Sequence, residues 1–125
     1  MHVLVIEDHE GMGKTIEAVV AAAGHTVVRA SNGRKGVKLF TQDRFDLVIT
    51  DILMPVQEGL ETIRQLRTIK PDLKIIAVSG SGRSQGMDFL PAASAFGAVA
   101  TLQKPFQPAD LLQLLRTHAT TESDR

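Results

Sequence analysis

The sequence predicts an α/β domain: a parallel sheet of five strands with helices on both faces, a three-layer doubly wound sandwich. Three observations carry this expectation. Short apolar runs alternate with stretches of helical periodicity five times over, and strands joined through helical crossovers lie parallel. The first run, Val3-Leu4-Val5-Ile6, is apolar at every position, as in a strand covered on both faces. Glu7, Asp8 and Asp51 stand just past the ends of two such runs, at the carboxyl rim where open α/β sheets bind their ligands.

Val3 to Ile6 is the first strand. Ile16, Val19, Val20 and Ala23 recur at helical spacing, and Gly24 ends that first helix. Thr26-Val27-Val28 is the second strand. Asn32-Gly33 is a turn signal, after which Val37 and Phe40 mark the inner face of a second helix. Phe45 to Thr50 reads as the third strand, and Pro55 and Gly59 break the chain. Leu60, Ile63 and Leu66 define a third helix, ended by Pro71. Leu73 to Val78 is the fourth strand, followed by a flexible loop, Ser79-Gly80-Ser81-Gly82-Arg83. Phe89, Ala93 and Phe96 fit one face of a fourth helix, with Pro91 tolerated in its first turn. Ala98 to Leu102 is the fifth strand. After Lys104-Pro105, Leu111, Leu112, Leu114 and Leu115 form the stripe of a fifth helix. The polar end from Thr120 to Arg125 is expected to fray, which gives a domain over 1–119 and a disordered tail over 120–125.

At 125 residues the chain is one domain, large enough to bury roughly two thirds of its unfolded surface. Its formal net charge of zero gives no sign of a nucleic-acid tail or a basic membrane-binding face. The absence of cysteine excludes disulfides and thiolate metal sites. No apolar run approaches the ~18 residues of a membrane span, and no basic region precedes an apolar stretch at the start. The expected location is the cytoplasm.

The polar positions at the sheet rim carry the chemistry. Asp51 stands at a strand end, and Met54-Pro55 and Gly59 turn the chain away behind it. A carboxylate there is a competent nucleophile toward phosphorus, although such an acid also serves as a solvated residue or a helix cap. Glu7 and Asp8, brought beside Asp51, would coordinate a hard divalent cation such as Mg²⁺. The duller role for Asp8 is to cap the helix that follows. Ser79 and Lys104 follow the fourth and fifth strands. A hydroxyl and an ammonium there would grip phosphoryl oxygens and neutralise developing charge. Each position has an ordinary surface explanation by itself, and their common rim is the signal. Gly11-Met12-Gly13-Lys14-Thr15 imitates a phosphate-binding loop, but that motif needs glycine where Asp8 stands. Two carboxylates would also repel a nucleotide's phosphates, so Lys14 and Thr15 are expected as first-turn helix residues. His9 has no second histidine at i+4 to make a zinc pair.

Taken together, Glu7-Asp8, Asp51 with Met54-Pro55 and Gly59, Ser79, and Lys104-Pro105-Phe106 resemble, in order and separation, the receiver domain of two-component response regulators. The resemblance spans essentially the whole chain. It implies a flavodoxin-like fold with strand order 2-1-3-4-5. It implies that Asp51 accepts a phosphoryl group from a histidine kinase or histidine phosphotransfer protein. Asp8, Asp51 and the Leu53 backbone carbonyl would then bind Mg²⁺ directly, and Glu7 would hold a metal-bound water. Lys104, before a cis bond to Pro105, would pair with the phosphoryl group, and Ser79 would swing toward it. A downstream protein target is implied, with no direct nucleic-acid or membrane contact, as is a weak homodimer through the fourth helix, fifth strand and fifth helix.

Three positions depart from the family pattern. Thr101 stands where an aromatic switch residue is usual, so the switch is expected to act through the loop and the fourth helix. Leu53 stands two residues after Asp51, where fast-cycling relatives are often polar. Its apolar side chain is expected to hinder the attacking water and lengthen the life of the aspartyl-phosphate. The acidic pair is Glu-Asp rather than Asp-Asp, which preserves two carboxylates. A phosphohydrolase with an aspartyl nucleophile is the competing enzyme reading, but it would commonly need a second Asp at position 53. A degenerate receiver used only for docking is a third. No DNA-binding or catalytic segment follows the fifth helix in this sequence, which leaves a stand-alone module and a piece of a longer regulator both open.

Overall fold

Alternate side chains of the first strand go to opposite sides of the sheet. In β1 (His2–Ile6), Val3 and Val5 join one hydrophobic cluster and Leu4 and Ile6 the other, the period-two geometry of a strand with both faces covered. The chain continues through α1 (Glu10–Ala22), β2 (Thr26–Ala30), α2 (Gly33–Gln42), β3 (Leu47–Asp51), α3 (Val56–Ile69), β4 (Lys74–Ser79), β5 (Ala100–Gln103) and α4 (Pro108–Ser123). The computed structural model describes residues 1–52, 56–79, 97–104 and 106–123, with backbone alone at 56–58 and 119–123. The helix expected around Phe89 to Phe96, the loop from Gly80 to Met87, the Leu53 carbonyl, Met54-Pro55 and Pro105 lie outside the described residues.

Every strand pairing is parallel, in the order β2-β1-β3-β4-β5, the flavodoxin-like order that the resemblance implied. β1 pairs with β2 on one side and β3 on the other. The chain therefore steps outward once and then returns across its starting strand. The carboxyl ends of β1 and β3 flank this reversal, the place where such sheets open a crevice. On one face, α2 and α3 bring Phe40, Ile63 and Leu66 onto Leu4, Ile6, Val48 and Ile75. On the other, α1 and α4 bring Ile16, Val20, Leu111 and Leu115 onto Val3, Val5, Leu47 and Ile49. Full burial of a side chain of this size stabilises by roughly 1.5–3 kcal/mol, so the two layers together hold the rim in place.

Several boundaries differ from those read in the sequence. Phe45 was expected to open the third strand, but β3 begins at Leu47. Phe45 is instead a buried loop anchor, its ring stacked on His2 at 4.4 Å and on Phe40 at 6.1 Å between centroids. Leu73 likewise precedes β4: its N–H closes a turn onto the Lys70 carbonyl at 3.0 Å, and its own carbonyl accepts from Arg67. Both residues are apolar because they are buried, not because they are strand. The fifth strand begins at Ala100 rather than Ala98. Asp51 and Ser79 are the last residues of β3 and β4, not the first beyond them. The last helix runs through Ser123, so helical backbone covers part of the segment expected as a tail. No glycine or proline interrupts it there.

Candidate functional site

Each polar residue at the rim is held by backbone before its side chain does anything. The Glu7 N–H donates to the Ala30 carbonyl at 3.0 Å, which extends the β1–β2 pairing to the acidic pair. Arg29 of β2 donates from Nη1 to the Glu7 carbonyl at 3.2 Å and pairs with Glu17 of α1 at 3.7 Å. Arg29 lies against α1 where Gly13 leaves space: a Cβ at position 13 would stand 2.5 Å from the Arg29 Cδ. Beyond Asp51, the Ile52 N–H donates to the Val78 carbonyl at 2.9 Å. Gly59 of α3 packs directly on that backbone, and a Cβ there would stand 2.6 Å from the Ile52 Cα. The Lys104 N–H donates to the Ser79 carbonyl at 2.7 Å, which fixes the start of the segment after β5.

The cap of α1 is His9, not Asp8. His9 has extended backbone, and its Nδ1 accepts from the Met12 N–H at 3.1 Å. Asp8 is exposed and makes no cap. The His9 N–H donates to Glu7 Oε2 at 3.2 Å. Lys14 pairs with Glu10 one turn back at 3.4 Å, and the Thr15 hydroxyl donates to the Gly11 carbonyl at 3.1 Å. Both belong to helix α1, as the missing loop glycine implied.

The Lys104 ammonium bridges two carboxylates, 3.2 Å from Glu7 Oε1 and 3.2 Å from Asp51 Oδ2. Glu7 is 1% exposed and Asp51 3%. Burial pushes the Glu7 carboxyl up to about 7, helped by its hydrogen bond with Asp51 and by the Asp51 charge, while Lys104 and the His9 N–H pull it down without prevailing. One ammonium does not satisfy the negative charge gathered here. One oxygen from each of Glu7, Asp8 and Asp51 falls within 4.8 Å of the others, and these carboxylates, with Lys104, His9 and Met12, line a cavity of about 380 Å³. A set of hard oxygen donors with surplus negative charge fits a small divalent cation such as Mg²⁺. No thiolate or imidazole pair competes for a softer metal among these residues. A larger cleft, about 620 Å³, lies between α2 and α3. Size therefore does not select the chemical site, and the cluster of buried charge does.

The structure brings together Glu7, Asp8, Asp51 and Lys104 of the residues expected at the site. Ser79 is buried at the end of β4 and touches this group through its backbone carbonyl, outside the lining of the cavity. Thr101 is half-buried in β5 opposite Ala77 of β4, with β4 between it and the strand of Asp51. Arg29 and the His9 cap were not anticipated. Arg29 had no readable signal, being a long polar side chain in a strand. His9 stood one residue past the more usual capping acid.

The comparisons follow the same geometry. The model of the response regulator receiver domain family matches residues 3–116. The chain is similar to the chemotaxis protein CheY of Thermotoga maritima, 34% identical over 90% of this chain and 92% of that protein. It is similar to the response regulator MprA of Mycolicibacterium vanbaalenii, 32% identical over 99% of this chain, and it spans about half, 53%, of that relative's length. Among solved structures, the response regulator protein TrrA from Thermotoga maritima in complex with Mg²⁺-BeF superposes with a TM-score of 0.80 at 28% identity, over 93% of this chain and 96% of that one. A parallel 2-1-3-4-5 sheet, buried acids against one lysine at its carboxyl rim, and a family match over nearly the full length agree: this chain belongs to the receiver domains of two-component response regulators.

Proposed function

We propose that Asp51 is the phosphoacceptor of this receiver and that the chain acts on itself rather than turning over an external substrate. The observation that carries the reading is the Lys104 ammonium held 3.2 Å from both Asp51 and Glu7. An Asp51 oxygen attacks the phosphorus of a phosphohistidine on a kinase or phosphotransfer protein. The P–N bond breaks, and its electron pair returns to the imidazole, which takes up a proton. Charge in the transition state spreads over the phosphoryl oxygens. Lys104 follows that charge from the carboxylate to the new phosphoryl group. Glu7, Asp8 and Asp51 would hold Mg²⁺, with the Leu53 carbonyl as a further ligand, and the ion would neutralise phosphoryl oxygens. The relation to a receiver described with Mg²⁺-BeF supports this assignment.

The product adds charge and acceptor oxygens at one point. Whichever conformer brings Ser79 toward those oxygens gains population by the difference in interaction between the two states. The switched surface then binds a protein target. In this reading the chain works in the cytoplasm, beside the kinase, and any weak homodimer forms through the helix expected around Phe89 to Phe96, β5 and α4. Incubation of the purified chain with acetyl phosphate and Mg²⁺ should add one phosphoryl group by mass, and Asp51→Asn should abolish the gain. An equal gain in Asp51→Asn, or none in the wild type with Mg²⁺ bound, overturns the assignment.

A further inference from the structure

We infer that the seam between α2 and α3 is a docking groove for an acidic amphipathic helix of a partner protein, a surface separate from Asp51 and its cavity. The cleft at this seam, about 620 Å³, is lined by Arg34, Val37 and Lys38 on one bank and Glu61 and Gln65 on the other. A second depression of about 400 Å³ continues it through Val37, Gln65 and Ile69. Ile69 is 47% exposed, one of two large apolar residues so open to solvent among the described residues.

The charge on this face is arranged against the interests of the isolated chain. Helix α2 carries Arg34, Lys35 and Lys38 and no acid. Arg34 and Lys35 sit in its first turn, where the helix dipole disfavours cations. Arg34 and Lys38 are a like-charged i,i+4 pair, which is also unfavourable. The acids at the seam are already engaged. Glu61 is paired with Arg64 at 3.1 Å, and Asp43, at the far end of α2, is paired with His2 at 2.9 Å. Among the described residues, Arg34 and Lys38 have no such partner. Arg34 at the unfavourable end of its helix and Lys38 one turn on, both unpaired among the described residues and beside exposed apolar surface, are complementary to a ligand that brings carboxylates and apolar side chains together.

That combination selects the occupant. A helix laid in a groove presents apolar residues at i, i+3 and i+4 and charges along its flanks. Val37 and Ile69 would meet its apolar stripe, and Arg34 and Lys38 its acids. A phosphate polymer fits less well, because it brings nothing apolar to Val37 and Ile69, and a flat lipid surface does not fill a cleft between two helices. The chain as a whole has no net positive charge to attract either.

The test uses the whole chain, uniformly ¹⁵N-labelled, titrated with a synthetic peptide of about four helical turns that carries a leucine stripe flanked by glutamates. Amide shifts should map to α2 and α3. Arg34→Glu/Lys38→Glu should weaken binding by roughly tenfold or more, and raised salt should weaken it in the wild type. The same variant should melt no lower than the wild type, since an acid suits the first turn of α2, which separates lost docking from lost folding. Lys14→Glu, on α1, should leave the affinity unchanged. Shifts confined to β5 and α4, an unchanged affinity in Arg34→Glu/Lys38→Glu, or equal binding of a peptide with lysine at every glutamate overturns the inference. Tighter binding of duplex DNA or phosphatidylglycerol vesicles through the same residues overturns it as well.

Discussion

Replacing Glu7 by glutamine isolates the electrostatic strain at the rim. The Glu7 carboxyl is raised from 4.5 to about 7 in the folded chain, chiefly by burial and next by its hydrogen bond and charge contact with Asp51. A carboxyl whose folded value lies above its unfolded value holds its proton longer in the folded state. The folded state therefore binds more protons between pH 4.5 and 7, and stability falls with rising pH across that window and levels off above it. The full difference corresponds to roughly 3 kcal/mol, at about 1.4 kcal/mol per tenfold change. Glutamine keeps the shape, carries no charge, and can still donate to Asp51 as the protonated acid does. In chelator, Glu7→Gln should gain up to roughly 3 kcal/mol over the wild type at pH 8.5, shrinking to under about 1 kcal/mol at pH 5. Urea unfolding at both pH values measures this directly. A gain of the same size at both, or no gain at pH 8.5, refutes the view that Glu7 is a buried charge held against its preference.

Mg²⁺ should reverse that strain, because cation binding needs the ionised carboxylate. The upward shift of the unfolding midpoint on adding Mg²⁺ should be larger at pH 8 than at pH 6 in the wild type, and an equal shift at both contradicts the ligand assignment. Gly59→Ala pushes a Cβ into the Ile52 backbone, 2.6 Å from its Cα. It should cost roughly 1–3 kcal/mol or more in urea unfolding and slow phosphorylation of the adjoining Asp51, whereas an unaffected variant would show that α3 shifts freely. Leu53→Asn should shorten the life of the aspartyl-phosphate, followed by loss of the phosphoryl group over time, and an unchanged rate removes the apolar shield as its cause.

The layers of the fold were legible because burial writes period and length into sequence. Val3 to Ile6 reads as a strand covered on both faces because it is short, branched and apolar throughout, and Leu111 and Leu115 recur at one turn because a single face of α4 is buried. Phe45 and Leu73 misled for the same reason: a buried loop anchor and a strand residue leave the same apolar letter. The acids and Lys104 were legible only together: each alone has an ordinary surface role, but all of them fall at the ends of parallel strands on one rim. Arg29 was not, since its hydrogen bond to the Glu7 carbonyl depends on strand register and on space left by a different helix. Those are three-dimensional facts that no local spacing encodes. The His9 cap shows a finer version of the difficulty, in which a one-residue shift of the helix start exchanges the roles of neighbouring side chains.

The absent side chain at Gly13 has a consequence reaching beyond α1. Because the guanidinium of residue 29 occupies that vacancy on its way to the Glu7 carbonyl, the two positions form one steric unit. Variation at one must be answered at the other: a chain that enlarges residue 13 has to shorten or redirect residue 29, and then surrenders the brace behind its acidic pair. The freedom of this receiver to drift in sequence is thus narrowed at a glycine outside the lining of the acidic cavity, and libraries randomised at 13 and 29 together should return small-with-arginine pairs far more often than independent choice would give.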